Sequence, residues 1–137
     1  MEKDLTIQQV AHLTGLSEYT LRYYEREGLL DPVSRADNGH RRYAAHDLAW
    51  IDFLKRLRAT GMPIQYMREF ADLRRCGASS IHQRRLLLEA HRQAVQERMQ
   101  DLARHVAAID EKIRHYKELE IEHDRTTGTP TAGADAI

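Results

Sequence analysis

Near the N-terminus the apolar residues fall twice into helical spacing and then give way to a short basic stretch. Ile7, Val10, Ala11 and Leu16 can line one face of a first segment. Thr6-Ile7-Gln8-Gln9 fits a capping box, with Thr6 as N-cap and Gln9 reaching back. Gly15 supplies the left-handed residue that ends this helix. Ser17 caps a second helix, Glu18 to Glu27, in which Leu21, Tyr24 and, at the edge, Tyr23 turn inward. Tyr19, Thr20 and Arg22 are then left on the outer face. Gly28 closes that helix. Asn38-Gly39 is a strong turn signal, with Arg35 on one side and Arg41-Arg42-Tyr43 on the other. Helix, tight turn, helix and basic hairpin is the layout of a winged helix-turn-helix, a unit that puts one helix in a DNA major groove.

A helical pair is predicted next. From Asp47 to about Arg58, Leu48, Ile51, Leu54 and Leu57 keep helical spacing, widened by Trp50 and Phe53. Ala44-Ala45 offers no side-chain acceptor, so the start is loosely defined. Gly61 ends this helix and Pro63 suits the first turn of the next, which runs to about Arg75 with Ile64, Met67, Phe70 and Ala71 inward. Cys76-Gly77 breaks it.

The third part is one long helix. Ser80-Ile81-His82-Gln83 reads as another capping box, and no Gly or Pro interrupts the chain from there to about Ile121. At ~1.5 Å per residue this helix is on the order of 60 Å long. Leu88, Val95, Leu102, Ile109 and Tyr116 recur every seven residues; Met99, Val106 and Ile113 form a second series offset by four. Arg92 stands where that second series predicts a hydrophobe. The narrow stripe is a heptad seam that needs another helix along its length, and a second copy of the chain is the expected partner. Heptads alone leave the strand orientation open. The fold expected is therefore mainly α: a winged helix-turn-helix with a helical pair over residues 1–76 and one coiled-coil helix over 77–121. Residues 122–137, rich in small polar residues, Gly and Pro, read as a disordered tail without function.

Composition narrows the picture. The chain has 137 residues, with only one Trp and two Phe beside six Tyr. So few large apolar rings suit a small domain that buries more surface by pairing. Net charge is zero, with 21 basic and 21 acidic residues, which is not the profile of a nonspecific nucleic-acid coat. Any DNA footprint must be local, and the local basic clusters are Arg35, Arg41 and Arg42, then Lys55, Arg56 and Arg58. One cysteine, Cys76, excludes an internal disulfide. No apolar run approaches membrane-spanning length and no signal-peptide pattern opens the chain, so a cytoplasmic protein is expected.

Leu21-Arg22-Tyr23-Tyr24-Glu25-Arg26-Glu27-Gly28-Leu29-Leu30, followed by Arg41-Arg42-Tyr43, resembles the start of the MerR family of bacterial transcription regulators. Arg58-Ala59-Thr60-Gly61-Met62-Pro63-Ile64 resembles that family's junction between its third and fourth helices. The resemblance covers roughly residues 5 to 121. It implies an antiparallel dimer that binds an inverted repeat in promoter DNA. It also implies distortion of the spacer between two promoter elements, so that RNA polymerase reaches both, with a small effector or stress shifting the DNA shape.

Candidate DNA contacts are Ser17, Tyr19, Thr20, Arg22 and Tyr23 on the second helix and Arg41, Arg42 and Tyr43 in the wing. Arg reads guanine or holds phosphate, and Tyr holds phosphate through its hydroxyl. Of Arg41 and Arg42, one is expected on DNA and the other in an ion pair, with Tyr43 packed beneath. Lys55, Arg58 and the amides near Gly61-Met62 form a second phosphate clamp. Candidate dimerisation residues are Leu88, Val95, Met99, Leu102, Val106, Ile109, Ile113 and Tyr116.

Metal-sensing members of that family use at least two thiols per site. This chain has Cys76 alone, and its eight His offer no i, i+4 pair, so the non-metal branch is implied and no cofactor is expected. Cys76, beside Arg74 and Arg75, is the candidate redox or effector residue. Family members that respond to aldehydes carry a Cys in the middle of the third helix, where this chain has Leu54-Lys55-Arg56-Leu57. A small effector would otherwise sit near Trp50, Tyr66, Met67 and Phe70, against the alternative that these are core. No phosphate loop, acid pair or nucleophile motif supports catalysis. The competing readings are a coiled-coil adaptor that uses the winged domain to bind protein, and an architectural DNA-bending protein without effector response.

Overall fold

The computed structural model describes residues 4–31, 34–35, 39 and 41–126; of residues 34, 35 and 41 it describes the backbone. Strand β1 (Leu5–Thr6) runs into helix α1 (Ile7–Thr14), and α2 (Glu18–Arg26) follows after a short turn. Strands β2 (Ser34–Arg35) and β3 (Arg41–Tyr43) form the wing. Helices α3 (Ala45–Ala59) and α4 (Ile64–Arg75) come next, then a 3-10 turn (Gly77–Ser80) and helix α5 (Ile81–Arg125). Of the expected tail, residues 122–125 are helical instead, and 127–137 lie outside the described residues. The chain divides into two compact units, 1–93 and 94–137.

The first turn of the fold follows from local chemistry. The Thr6 side chain accepts from the Gln9 amide at 3.2 Å, while Gln9 Oε1 accepts from the Thr6 amide at 2.9 Å. Gly15 ends α1 with φ +76°, the left-handed region that L-residues enter only at a steric cost. Ser17 caps α2, accepting from the Thr20 amide at 3.1 Å. Thr6 also belongs to β1, a strand absent from the sequence reading. It pairs antiparallel with β3, Leu5 opposite Tyr43 and Thr6 opposite Arg42. The sheet order is β1-β3-β2, so the wing is stitched to the start of α1. Of the predicted hairpin turn, Gly39 has φ +82°, whereas Asn38 lies outside the described residues.

Helix α3 starts at Ala45, earlier than expected. Ala44 has no side-chain acceptor, but Asp47 Oδ2 accepts the Ala44 amide at 3.0 Å and closes half a capping box. The capping box predicted at Ser80 is not formed. The Ser80 hydroxyl donates back to the carbonyls of Leu73 and Gly77, and α5 simply continues from the 3-10 turn.

The core of the first unit gathers Val10, Leu21, Tyr24, Leu29, Tyr43, Ile51, Leu54 and Met67, each at 1% exposure or less. The one Trp and both Phe meet in a single cluster. Trp50 stacks on Phe70 with ring centroids 5.7 Å apart, and Phe53 leans on both at 6.3 and 5.8 Å. The Trp50 indole N–H donates to the Leu29 carbonyl at 2.8 Å, tying the turn after α2 to α3. Arg75 adds polar ties from α4, donating to Asp31 at 2.7 Å and to the Gly28 carbonyl at 2.6 Å. Leu87 and Leu88, at the start of α5, pack against this core. No residue of α5 is fully buried, and Met99, Leu102, Val106, Ile109, Ile113 and Tyr116 stand 45–63% exposed.

Candidate nucleic-acid interface

The outer face of α2 is where exposed chemistry collects. Leu21 and Tyr24 fix its inner face in the core at 0% exposure. Helical spacing then sets Tyr19, Arg22 and Arg26 in one outward row. Tyr19 is 69% exposed, and the Arg26 guanidinium lies 5.9 Å above its ring. Arg22 is exposed and pairs at 3.3 Å with Glu18, one turn back. Such a pair in solvent contributes little and can be exchanged for phosphate or a base edge. Arg26 was missed as a candidate in the sequence; its spacing of seven from Tyr19 is the signal that finds it. Tyr23 is half-buried against the core, its ring 6.3 Å from that of Tyr24. Ser17 and Thr20 serve the cap, the Ser17 hydroxyl donating to Thr20 Oγ1 at 2.9 Å.

In the wing, Arg42 is half-exposed at the centre of the sheet, opposite Thr6 on one side and Ser34 on the other. Tyr43 is 1% exposed. It anchors β3 in the core and presents nothing to DNA, so of the two roles considered for it only the packing role fits. The side chains of Arg35 and Arg41 lie outside the described residues.

The predicted second clamp is rearranged. The Gly61 amide donates to the Arg58 carbonyl at 3.0 Å and the Met62 amide to Leu57 at 2.9 Å. Both close the C-terminus of α3, where Gly61 has φ +85°, so neither is aimed at a phosphate. The first donors open at the start of α4 are those of Ile64 and Gln65, since Pro63 has none. Arg58 remains exposed. Lys55 is engaged within the protein: Nζ donates to the Thr14 carbonyl at 2.6 Å, beside Gly15. A Cβ on Gly15 would stand 3.3 Å from that nitrogen. Lys55 thus braces the turn of the helix-turn-helix against α3. Lys55→Met is expected to cost about 1 kcal/mol of stability and to weaken DNA binding without changing its salt dependence. A phosphate contact would instead reduce the slope of log K against log salt by about 0.9. Fluorescence anisotropy across a salt series separates the two.

Tyr24 carries a buried hydroxyl with no partner among the described residues. Burial pushes its pKa up, opposed by the nearby Arg58 charge. It is a core residue rather than a DNA contact.

The candidate effector residues separate. Trp50, Met67 and Phe70 are core, at 7%, 0% and 6% exposure, whereas Tyr66 is exposed. Cys76 is exposed, its thiol 3.5 Å from the Asp72 carbonyl. The arginines beside it turn elsewhere: Arg74 lies 4.4 Å over the Trp50 ring, and Arg75 holds Asp31 and Asp72. His91 Nε2 lies 2.8 Å from Thr60 Oγ1. The Thr60 hydroxyl also lies within hydrogen-bond distance of the Arg56 and Leu57 carbonyls of α3, so this contact sits where α5 meets the end of α3. Among the described residues no group of three or more His, Cys, Asp or Glu could hold a metal ion, and no helix is long and apolar enough to cross a membrane.

Comparison with known proteins agrees with this geometry. The sequence matches the family model described as MerR HTH family regulatory protein over residues 5–73, and that described as MerR, DNA binding over residues 48–111. An uncharacterized HTH-type transcriptional regulator of Haemophilus influenzae is 34% identical over 82% of this chain and 83% of its own length. The HTH-type transcriptional regulator AdhR of Bacillus subtilis is 42% identical over 65% of this chain and 64% of its own length. Among solved structures, HiNmlR, a MerR family regulator lacking the sensor domain and bound to promoter DNA, superposes with a TM-score of 0.77. It is 32% identical, over 87% of this chain and 94% of that one. A putative MerR family transcriptional regulator from Listeria monocytogenes gives a TM-score of 0.82 at 31% identity, over 89% of this chain and 92% of that one.

Proposed function

This chain belongs to the MerR family of DNA-binding transcription regulators, and from that premise we propose that it acts in the cytoplasm as a homodimer on an inverted repeat in promoter DNA. The observation that carries the reading is the row Tyr19, Arg22 and Arg26, exposed on a helix whose opposite face is locked in the core. A rigid helix with an exposed basic and aromatic edge enters a major groove; Arg42, in the adjoining wing, adds a cation for the backbone. HiNmlR, matched over 94% of its chain, was crystallised on promoter DNA. The seam of α5 supplies the second copy, and two copies related by a two-fold axis read two half-sites.

The dimer distorts the spacer between the promoter elements and so changes the access of RNA polymerase. Elastic bending of a short site costs roughly 1–6 kcal/mol, which phosphate contacts from two copies can offset. A small effector or stress then shifts the balance between two DNA shapes without releasing the DNA.

The test is selection of bound duplexes from a random pool, followed by nuclease footprinting. An inverted repeat with a hypersensitive spacer is expected. On that site Arg22→Ala should lower affinity by about 1–3 kcal/mol and relax the preference at one base pair if it reads a base. It should weaken all sequences alike if it holds phosphate. A selected site without two-fold symmetry would sink the proposal, as would unchanged affinity in variants of both Arg22 and Arg26.

A further inference from the structure

The stripe on α5 is not apolar throughout. Its one heptad series runs Leu88, Val95, Leu102, Ile109 and Tyr116; the other runs Arg92, Met99, Val106, Ile113 and Glu120. The second series thus begins with a cation and ends with a carboxylate, both inside the helix Ile81–Arg125. We propose that Arg92 of one copy and Glu120 of a second copy form an ion pair at each end of the seam, and that this pair fixes the register of the antiparallel homodimer that the family resemblance implies. The inference rests on the homodimer reading above and specifies how that dimer is held.

Charge disfavours the parallel arrangement. In a parallel, in-register coil the residues of one series face their own copies. Arg92 would meet Arg92 and Glu120 would meet Glu120, two like-charge contacts at the edge of an apolar seam. An antiparallel coil packs one series against the other. The register that pairs Val106 with Leu102, Met99 with Ile109 and Ile113 with Val95 keeps every central layer apolar. Arg92 then falls opposite Tyr116, and Glu120 opposite Leu88, one turn away along the same edge of the seam.

Side-chain direction closes the gap. Cα–Cβ bonds tilt toward the N-terminus of their own helix. In antiparallel helices the Arg92 side chain therefore leans toward the layer of Glu120 in the second copy, and that Glu120 leans back. Four residues at ~1.5 Å per residue leave an axial offset of about 6 Å, within reach of an arginine and a glutamate. Shifted by one heptad in one direction, Arg92 would face Ile109 and Glu120 would face Ile81, far apart. Shifted in the other, Glu120 would lie in the layer of Val95 and the two side chains would lean away from each other. Charged positions in an otherwise apolar seam are known to select register at some cost in stability.

The experiment uses the whole chain. Sedimentation over a concentration series gives the dimer dissociation constant for wild type, R92E, E120R and R92E/E120R, with helicity followed by circular dichroism. Each single reversal is expected to raise that constant about tenfold or more, and the double reversal to bring it back to within about threefold. Singles that dimerise like wild type, or a double no tighter than the weaker single, would overturn the ion pair. The register has its own readout. Ala103 lies near the two-fold axis of the proposed pairing, so Ala103→Cys in a Cys76→Ser background should cross-link on mild oxidation. A non-covalent dimer that fails to cross-link overturns the register. A wild-type chain that stays monomeric on and off DNA instead overturns the homodimer reading beneath both.

Discussion

Leu102→Asp or Ile109→Asp is expected to leave the chain monomeric at micromolar concentration, with α5 less helical and inverted-repeat binding nearly lost. Leu102 and Ile109 are 62% and 57% exposed in the single chain, so a monomer gains nothing from their apolar character. In the proposed dimer each carboxylate would be buried against an apolar layer, and two-fold symmetry introduces two of them. An unpaired charge in such a layer costs several kcal/mol, equivalent to roughly a thousandfold in the dimer dissociation constant. The fall in DNA affinity follows because each copy then has to find its half-site alone. Glu118→Lys, on the outward face of the same heptad, is the control and should change neither property. Light scattering checks the first point and anisotropy on the selected site the second. If both seam variants remain dimeric, the stripe has another partner and the dimer forms elsewhere.

What the sequence conveyed about this fold was mostly local. Thr6 with Gln9, Gly15 and Ser17 each act on residues within a few positions, and their chemistry can be read without knowing the rest of the chain. The inward faces of α1 to α4 were legible for the same reason, since periodicity is a property of one segment. The departures have distant or competing causes. Strand β1 has two residues, too few for any pattern, and exists because β3 offers Leu5 and Thr6 a partner. Lys55 looked like a phosphate ligand because its acceptor is a backbone carbonyl 41 positions away. The amides of Gly61 and Met62 looked available until the carbonyls of α3 claimed them. Ser80 has the right neighbours for a cap, but a hydroxyl that donates backward to Leu73 has already settled its role. Helix α5 outlasts Ile121 because residues 122–125 contain no Gly or Pro to break it, and His123 and Arg125 suit its C-terminal end. The site followed the same division. The outward row of α2 is a matter of spacing and was legible, apart from Arg26. The wing's anchor Tyr43 was ambiguous because an aromatic beside two arginines suits a core and a backbone contact equally.

Trp50→Ala should be the most damaging substitution in the first unit, and it also tests whether the aromatic cluster is core or an effector pocket. Trp50 is 7% exposed. It ties α3 to two other parts of the fold: it stacks on Phe70 and lies under the Arg74 guanidinium of α4, and it donates to the Leu29 carbonyl after α2. Truncation leaves a cavity between α3 and α4 and an unsatisfied carbonyl in the turn that holds the recognition helix. Removing a buried Trp costs about 3–5 kcal/mol, and for a domain of this size that is a fall in Tm of roughly 15 °C or more. Trp50→Phe keeps a ring on Phe70 and gives up the hydrogen bond, so it should cost about 1–2 kcal/mol. If the cluster is core, DNA affinity at low temperature should follow stability through this series, and exposed Tyr66→Ala should match wild type in both. An effector pocket predicts the opposite pattern: Trp50→Phe and Tyr66→Ala would keep wild-type stability and DNA binding while losing the transcriptional response to whichever compound elicits it. Thermal melts and anisotropy on the same four proteins decide between the two, because only the core role links the Leu29 carbonyl, and hence α2, to the indole N–H.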